Sequence, residues 1–122
     1  MTLLHNLVGG KYKIDFNNKI LFIEELGLET NPAMISNYLY YMKQNGVFKQ
    51  IKGIWIGNYQ HESNITLEKI VQDVLGDEYN FPIIKSNNFG HIETKTVIPI
   101  GTKAKIDTNE KRKIELLEKC VK

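Results

Sequence analysis

The 122-residue sequence is poor in several features that define special protein classes. A single cysteine, Cys120, excludes an intrachain disulfide and favours a reducing, cytoplasmic location. There are only three prolines, and no proline-rich, repetitive or low-complexity tract suggests a linker. The longest apolar runs are far shorter than the ~20 residues that span a bilayer, and no signal-peptide pattern opens the chain. We therefore expect no membrane partner.

Charge of one sign is also scarce. Sixteen Lys and Arg residues against 14 Asp and Glu residues give a formal net charge of +2, which is too weak a field to predict nucleic-acid binding. Hydrophobic residues make up 42% of the chain and charged residues 25%, as in ordinary globular proteins. This length suits one domain, which we assign to residues 1–122.

The spacings that mark metal and nucleotide sites are missing. His5, His61 and His91 are scattered, so we predict no metal site and no cofactor. His61-Glu62 begins like a zinc-protease helix, but Ile65 stands where the second histidine ligand is needed. The sequence contains no glycine-rich dinucleotide loop, no phosphate-binding Gly-Lys-Ser/Thr loop and no Gly-x-Ser-x-Gly nucleophile elbow.

The first half of the chain predicts two helices and a strand. Leucines at helical spacing before Gly9 are typical of the last turns of a helix that begins upstream. The continuous apolar run Ile20–Ile23 predicts a strand covered on both faces, as at the centre of an α/β sheet. A second helix is predicted from the cap pair Asn31-Pro32 to Gly46, with Lys43 facing water.

The second half predicts one helix and several strands. In chain order they are a strand at 52–57, a helix from Thr66 to Gly76, strands at 82–84 and 96–101, and a hairpin of residues 104–107 with 113–118. A helix over residues 110–119 is the alternative to the second hairpin strand. The element order predicts an α/β fold with a mixed β-sheet flanked by helices and a C-terminal β-hairpin.

Two local patterns carry possible catalytic chemistry. Glu24 and Glu25 follow the apolar run at 20–23, and His91 follows an Asn-rich turn that ends in Gly90. A carboxylate and an imidazole at strand ends form two thirds of a catalytic triad. Only one of the adjacent acids can face a given cleft, and we favour Glu24. The alternative is that the acids lie at a solvated strand end and His91 belongs to an ordinary turn.

No serine in the sequence lies in the context of a nucleophile. Ser36 falls inside the second predicted helix, Ser63 in a polar loop and Ser86 in the Asn-rich turn. None follows a strand at the sharp turn that exposes a nucleophilic hydroxyl. A triad would therefore need a serine from outside this sequence.

Ordered blocks of sequence resemble the C-terminal domain of the LD-carboxypeptidase family, which includes the microcin C immunity peptidases. The blocks are KILFIEE at 19–25, YMKQNGVF at 41–48, IKGIWIG at 51–57, and FGH at 89–91 followed by TVIPIG at 96–101. The similarity extends from about Leu3 to Glu118. It implies a swivelling β/β/α-like fold.

The same resemblance implies a Ser-His-Glu triad in which Glu24 and His91 are the catalytic residues of this domain. The nucleophilic serine would lie on an N-terminal domain that the sequence lacks, so the segment alone is expected to be inactive. Homodimers are also implied. The substrates would be muropeptides or peptidyl-nucleotide antibiotics. The sequence of residues 28–32 resembles the immunity-peptidase branch of the family. The alternative function is a non-catalytic domain for binding or dimerisation.

Overall fold

Three short parallel strands form the sheet that carries the site. The computed structural model describes residues 1–27 and 30–120, and its sheet has the order β1 (Ile20–Ile23), β2 (Gly53–Ile56), β3 (Ile83–Lys85). Ile20 pairs with Gly53, and Ile54 pairs with Ile83. β1 is thus an edge strand of this sheet, and our prediction of a central position for it is wrong. The central strand is β2.

Three α-helices lie within the described residues: α1 (Thr2–Val8), α2 (Pro32–Gln44) and α3 (Leu67–Leu75), with a 3₁₀ turn at Val47–Lys49. α2 and α3 begin where the sequence predicts. The Asn31 side chain accepts a hydrogen bond from the Met34 N–H, and the Thr66 hydroxyl accepts one from the Lys69 N–H. Each cap satisfies a backbone donor that has no partner within its helix. None of the described helices is long and apolar enough to cross a membrane.

The two faces of the sheet have different neighbours. Along β1 and β2, alternate residues point to opposite sides, and one set is buried in the main hydrophobic core. The principal members of this core are Leu21, Ile23, Ile35, Leu39, Met42, Ile54, Ile56, Ile70, Val71 and Val74. The other set includes Phe22 and Trp55, whose rings lie 4.8 Å apart on the opposite side of the sheet. That side carries the candidate site.

The C-terminal hairpin forms as the sequence predicts, and the strand predicted at 96–101 does not. β4 (Ala104–Ile106) and β5 (Ile114–Leu116) pair antiparallel, so the helix considered for residues 110–119 is absent. Residues 96–101 are irregular, with Val97 89% exposed and a turn at Gly101, whose φ is 90°. Pro99 cannot donate to a strand ladder, which explains why an apolar run here remains unpaired.

The fold class is confirmed, with its strand pairings divided between two separate sheets. The parallel sheet and the hairpin meet at Gly53, where an added Cβ would lie 3.1 Å from the Ile106 side chain. Chain connectivity explains the division. The parallel strands are joined through helices, whereas the two hairpin strands follow one another directly.

Lys43 does not face water as we predicted. Its ammonium donates to the Val74 carbonyl at 2.8 Å and to Glu78 Oε1 at 2.7 Å. The Val74 carbonyl lies in the last turn of α3, where the helix dipole favours a cation. Lys43 therefore joins α2 to the end of α3.

Replacing the α3 cap should lower stability without altering the fold. We expect Thr66→Ala to reduce the free energy of unfolding by about 1 kcal/mol, because the Lys69 N–H loses its acceptor. Urea denaturation measures the change. The control is Thr94→Ala, an exposed position outside any helix or strand, which should stay within about 0.5 kcal/mol of the parent. Equal effects of the two substitutions would contradict the capping role.

Lys43 should also make stability depend on alkaline pH. The hydrogen bond that the Lys43 ammonium donates to Glu78 raises the pKa of Lys43 above its ordinary value of 10.5, outweighing burial, which lowers it. The stabilisation is therefore complete below pH 10.5 and lost as the pH rises through the folded-state pKa. Lys43→Met should flatten this alkaline loss in urea titrations, and Lys119→Met at an exposed position should not. Identical alkaline profiles for the parent and Lys43→Met would contradict the linkage.

Candidate active site

Glu24 lies directly after β1, at the carboxyl end of the parallel sheet. Strand alternation places its side chain on the same side as Phe22, away from the helices. The Glu24 side chain is 26% exposed. Glu25 is the next residue, and strand alternation turns its side chain to the opposite side. The two adjacent acids are thus separated by strand geometry, and Glu24 is the one that reaches the histidine turn.

His91 comes from the turn that follows β3, defined here as residues 86–91 and called the histidine turn. Its Nδ1 lies 2.9 Å from Glu24 Oε2, across 67 positions of sequence. The imidazole is 62% exposed, so the pair lies at the surface with the histidine on the solvent side. The structure thus brings together the two residues that the sequence singled out. Their catalytic role stays a prediction.

Gly90 makes this contact possible. Its φ is 103°, a conformation that L-residues with side chains rarely adopt. A Cβ at this position would also lie 2.9 Å from Glu24 Oε2, the atom that His91 contacts. Glycine is therefore required here both for the backbone conformation and for the close approach of the carboxylate.

The hydrogen bond determines which ring nitrogen of His91 carries the proton. An ionised carboxylate only accepts hydrogen bonds, so in the neutral imidazole Nδ1 carries the hydrogen and donates it to Glu24. Nε2 is then left with a lone pair that can accept a proton. This orientation suits a general base.

A groove of about 510 Å³ adjoins His91. Its lining consists mainly of polar side chains together with a glycine and a leucine: Glu25, Leu26, Gly27, Asn58, Gln60, His61, Glu62 and His91. Gly27 allows its two walls to meet, because a Cβ there would lie 1.6 Å from the Gln60 carbonyl oxygen. The groove thus offers hydrogen-bonding groups next to His91.

His61, a second histidine in the groove, has the opposite tautomer. Its Nδ1 accepts from the Ser63 N–H at 3.2 Å and lies 2.8 Å from the Ser63 hydroxyl. The neutral ring therefore carries its hydrogen on Nε2 and is a donor there. We did not predict this difference from the sequence. The closeness of Ser63 to His61 was the available signal, because such short-range contacts are typical of turns.

The three serines have structural partners. The Ser36 hydroxyl donates to the Pro32 carbonyl within α2, and Ser86 Oγ accepts from the Trp55 indole N–H. Ser63 contacts the imidazole of His61, but among the described residues no carboxylate orients that ring. Within the same residues, no group of three His, Cys, Asp or Glu side chains could hold a metal ion.

Comparison with known proteins identifies the family. The family model for the LD-carboxypeptidase C-terminal domain matches residues 1–106. The chain belongs to this family. A Bacillus subtilis protein named as a probable murein peptide carboxypeptidase is 28% identical over 117 residues, which cover 91% of this chain and 36% of that protein. A Rickettsia conorii protein named as a carboxypeptidase is 26% identical, over 93% of this chain and 35% of its own length.

A solved structure shows the same fold as this LD-carboxypeptidase C-terminal domain. The muramoyltetrapeptide carboxypeptidase from Oxalobacter formigenes aligns with a TM-score of 0.70 and 20% identity, covering 84% of this chain and 37% of that one. The chain thus spans about a third of the length of the relatives it matches. Leu28 and Glu29, part of the resemblance to immunity peptidases, lie outside the described residues.

Gly90→Ala should disrupt the Glu24–His91 pair more than the same substitution at another glycine with a positive φ. Gly46→Ala is the matched control, because Gly46 also has a positive φ, of 74°, but no atom within 4 Å of an added Cβ. Ring ¹⁵N shifts of His91 in mildly alkaline buffer report the tautomer. We expect the Nδ1–H form to lose its dominance in Gly90→Ala and to persist in Gly46→Ala. An unchanged tautomer in Gly90→Ala would contradict the described geometry.

Proposed function

We propose that this chain provides the histidine and the glutamate of a serine-peptidase triad. The contact between His91 Nδ1 and Glu24 Oε2 carries the proposal, because it orients the ring and leaves Nε2 free to take a proton. The family supports it, and so does the groove next to His91. The nucleophilic serine comes from a separate domain, since the three serines of this chain have other partners or no complete triad.

The reaction follows from the orientation of the imidazole. His91 Nε2 takes the serine proton as the hydroxyl oxygen attacks the substrate amide, and it returns that proton to the leaving amine as the C–N bond breaks. Water then attacks the acyl-enzyme, and His91 passes a proton from water back to serine. Glu24 fixes the tautomer and stabilises the imidazolium in both steps.

We propose muropeptides cut between an L- and a D-residue as the substrate class. The Bacillus subtilis relative is named for murein peptides, and it covers most of this chain. Peptidyl-nucleotide antibiotics of the microcin C type are the second class. The sequence around Thr30 and Pro32, which resembles the immunity peptidases, supports this class. Product analysis with one substrate of each class distinguishes them by which amide bond is cleaved.

A binding or dimerisation domain is the competing function. Several large apolar side chains are exposed, including Leu3 at 83%, Val97 at 89% and Ile100 at 80%. Apolar surface of this kind is often covered by a partner. The partner in our proposal is the domain that carries the serine, and homodimers stay a prediction from the family resemblance.

Replacing either triad residue should abolish turnover in the product of the complete reading frame. We expect Glu24→Gln to lower kcat by roughly 10⁴-fold, the effect known for the orienting acid of serine proteases, and His91→Ala to lower it at least as much. A muropeptide release assay with circular dichroism measures activity and folding together. His5→Gln is the control, since its imidazole stacks on Tyr38 at 4.1 Å between α1 and α2.

The outcomes separate the two functions. Turnover that survives in His91→Ala would contradict the triad. A reading frame that encodes no further domain, with no hydrolysis of either substrate class, would favour the binding function. Loss of activity in both triad variants with His5→Gln still active supports the proposal.

A further inference from the structure

We propose that Trp55 is a positioning residue that holds both ends of the histidine turn and thereby sets the Glu24–His91 contact. The inference rests on the proposed function for its catalytic consequence, although its structural part stands separately. Trp55 is the only tryptophan of the chain and lies in the central strand β2. It contacts neither Glu24 nor His91 by hydrogen bond, so its effect would be exerted through the turn.

The first contact is at the start of the histidine turn. The Trp55 indole N–H donates to Ser86 Oγ at 2.9 Å. The backbone N–H of Ser86 in turn donates to the Ile56 carbonyl at 3.0 Å. A half-buried indole N–H normally requires an acceptor, and Ser86 supplies it at the point where the chain leaves β3. The start of the turn is therefore fixed to β2 by two hydrogen bonds.

The second contact is near the end of the turn, two residues before His91. The Phe89 ring lies 5.1 Å from the Trp55 ring at an interplanar angle of 77°, a favourable edge-to-face arrangement. Phe22 completes a cluster, since its ring is 5.7 Å from Phe89 and 4.8 Å from Trp55. Phe89 is only 6% exposed. We call Phe22, Trp55 and Phe89 the aromatic cluster.

Gly57 provides the space that the cluster needs. A Cβ at Gly57 would lie between 2.5 and 2.9 Å from three atoms of the Phe89 ring. Phe89 thus packs directly on the backbone of the strand that carries Trp55. The Asn58 N–H also donates to the Phe89 carbonyl, at 3.4 Å. The Phe89 ring therefore packs between Trp55, Phe22 and the backbone of Gly57.

The cluster joins the two elements that carry the catalytic pair. Phe22 lies two residues before Glu24 on the same side of β1, and Phe89 lies two residues before His91. The hydrogen bond from Trp55 to Ser86 prevents the turn from sliding along the sheet. A shift of the turn by about 1 Å would misplace the base, and a displacement of that size can cost on the order of 10²-fold in rate.

Ser86→Ala tests the structural part in the chain itself. It removes the acceptor of the indole N–H and leaves the three rings in place, so folding should be retained. We expect the His91 ring ¹⁵N shifts to move away from the Nδ1–H form and the Trp55 fluorescence to change. Ser86→Thr keeps the hydroxyl and should restore both signals. Trp55→Phe, which keeps a ring but loses the N–H, should reproduce the effect of Ser86→Ala on the His91 shifts.

Phe48→Leu is the matched control for general destabilisation. Phe48 is 2% exposed and contacts Tyr79 in the main core, so the substitution weakens the fold without touching the histidine turn. We expect its His91 signals to match those of the parent. Unchanged His91 signals in both Ser86→Ala and Trp55→Phe would overturn the proposal, as would equal changes in Phe48→Leu.

Kinetics of the product of the complete reading frame test the catalytic part. Ser86→Ala and Trp55→Phe should each lower kcat by at least roughly tenfold with little change in KM, because the base is misplaced while the groove is kept. Their double variant should be no worse than Trp55→Phe alone, since Trp55→Phe has already removed the hydrogen bond that Ser86→Ala removes. When His91 is already replaced by Ala, neither Ser86→Ala nor Trp55→Phe should change kcat further.

The two proposals fail in distinguishable ways. If His91 signals change but the unsubstituted product of the complete reading frame hydrolyses neither substrate class, the triad is wrong and the positioning role stands. If His91→Ala abolishes hydrolysis while Ser86→Ala and Trp55→Phe leave kcat unchanged, the triad stands and the positioning role is wrong.

Discussion

The proposed chemistry depends on one contact, the hydrogen bond between Glu24 Oε2 and His91 Nδ1. It joins two segments that share no backbone pairing with each other, one after the edge strand β1 and one after the opposite edge strand β3. Parallel pairing through β2 places both strands with their carboxyl ends on one edge of the sheet. The topology therefore brings the two residues to a common edge, and local packing determines the remaining few ångströms.

Much of that local packing depends on the absence of side chains. Gly90 adopts a conformation that other residues avoid and leaves room for the Glu24 carboxylate, while Gly57 leaves room for the Phe89 ring. Gly27 lets the groove walls meet beside Gln60. These three glycines lie where segments approach each other closely. A Cβ at any of them would separate the elements that form the site.

The sequence predicted the helices best, because their signals are local. Asn31 and Thr66 occupy the cap positions that their residue types favour, and glycines follow both α2 and α3. The strand prediction at 96–101 failed because an apolar run does not itself specify a pairing partner, and Pro99 lacks a donor for a strand ladder. Lys43 was misassigned because its partners, Val74 and Glu78, are distant in sequence. The position of β1 at the edge of the sheet was also mispredicted, because strand order depends on contacts between segments that are distant in sequence.

The candidate site was partly predictable, because some of its signals are local and others depend on long-range packing. Glu24 and His91 stood out because acids and histidines after apolar strands gather at one sheet edge. The contacts of Trp55 with Ser86 and Phe89, and the donor tautomer of His61, depend on long-range packing and on turn geometry that residue patterns do not encode. The sequence indicated which groups could react, and the structure adds what orients them.

Covalent labelling of the product of the complete reading frame with a fluorophosphonate probe is the most direct test of the account. Mass-spectrometric mapping of the labelled residue reports which serine a histidine base activates. We expect a label on a serine outside residues 1–122, and loss of that label in His91→Ala. A label on Ser36, Ser63 or Ser86, or labelling that persists without His91, would contradict it.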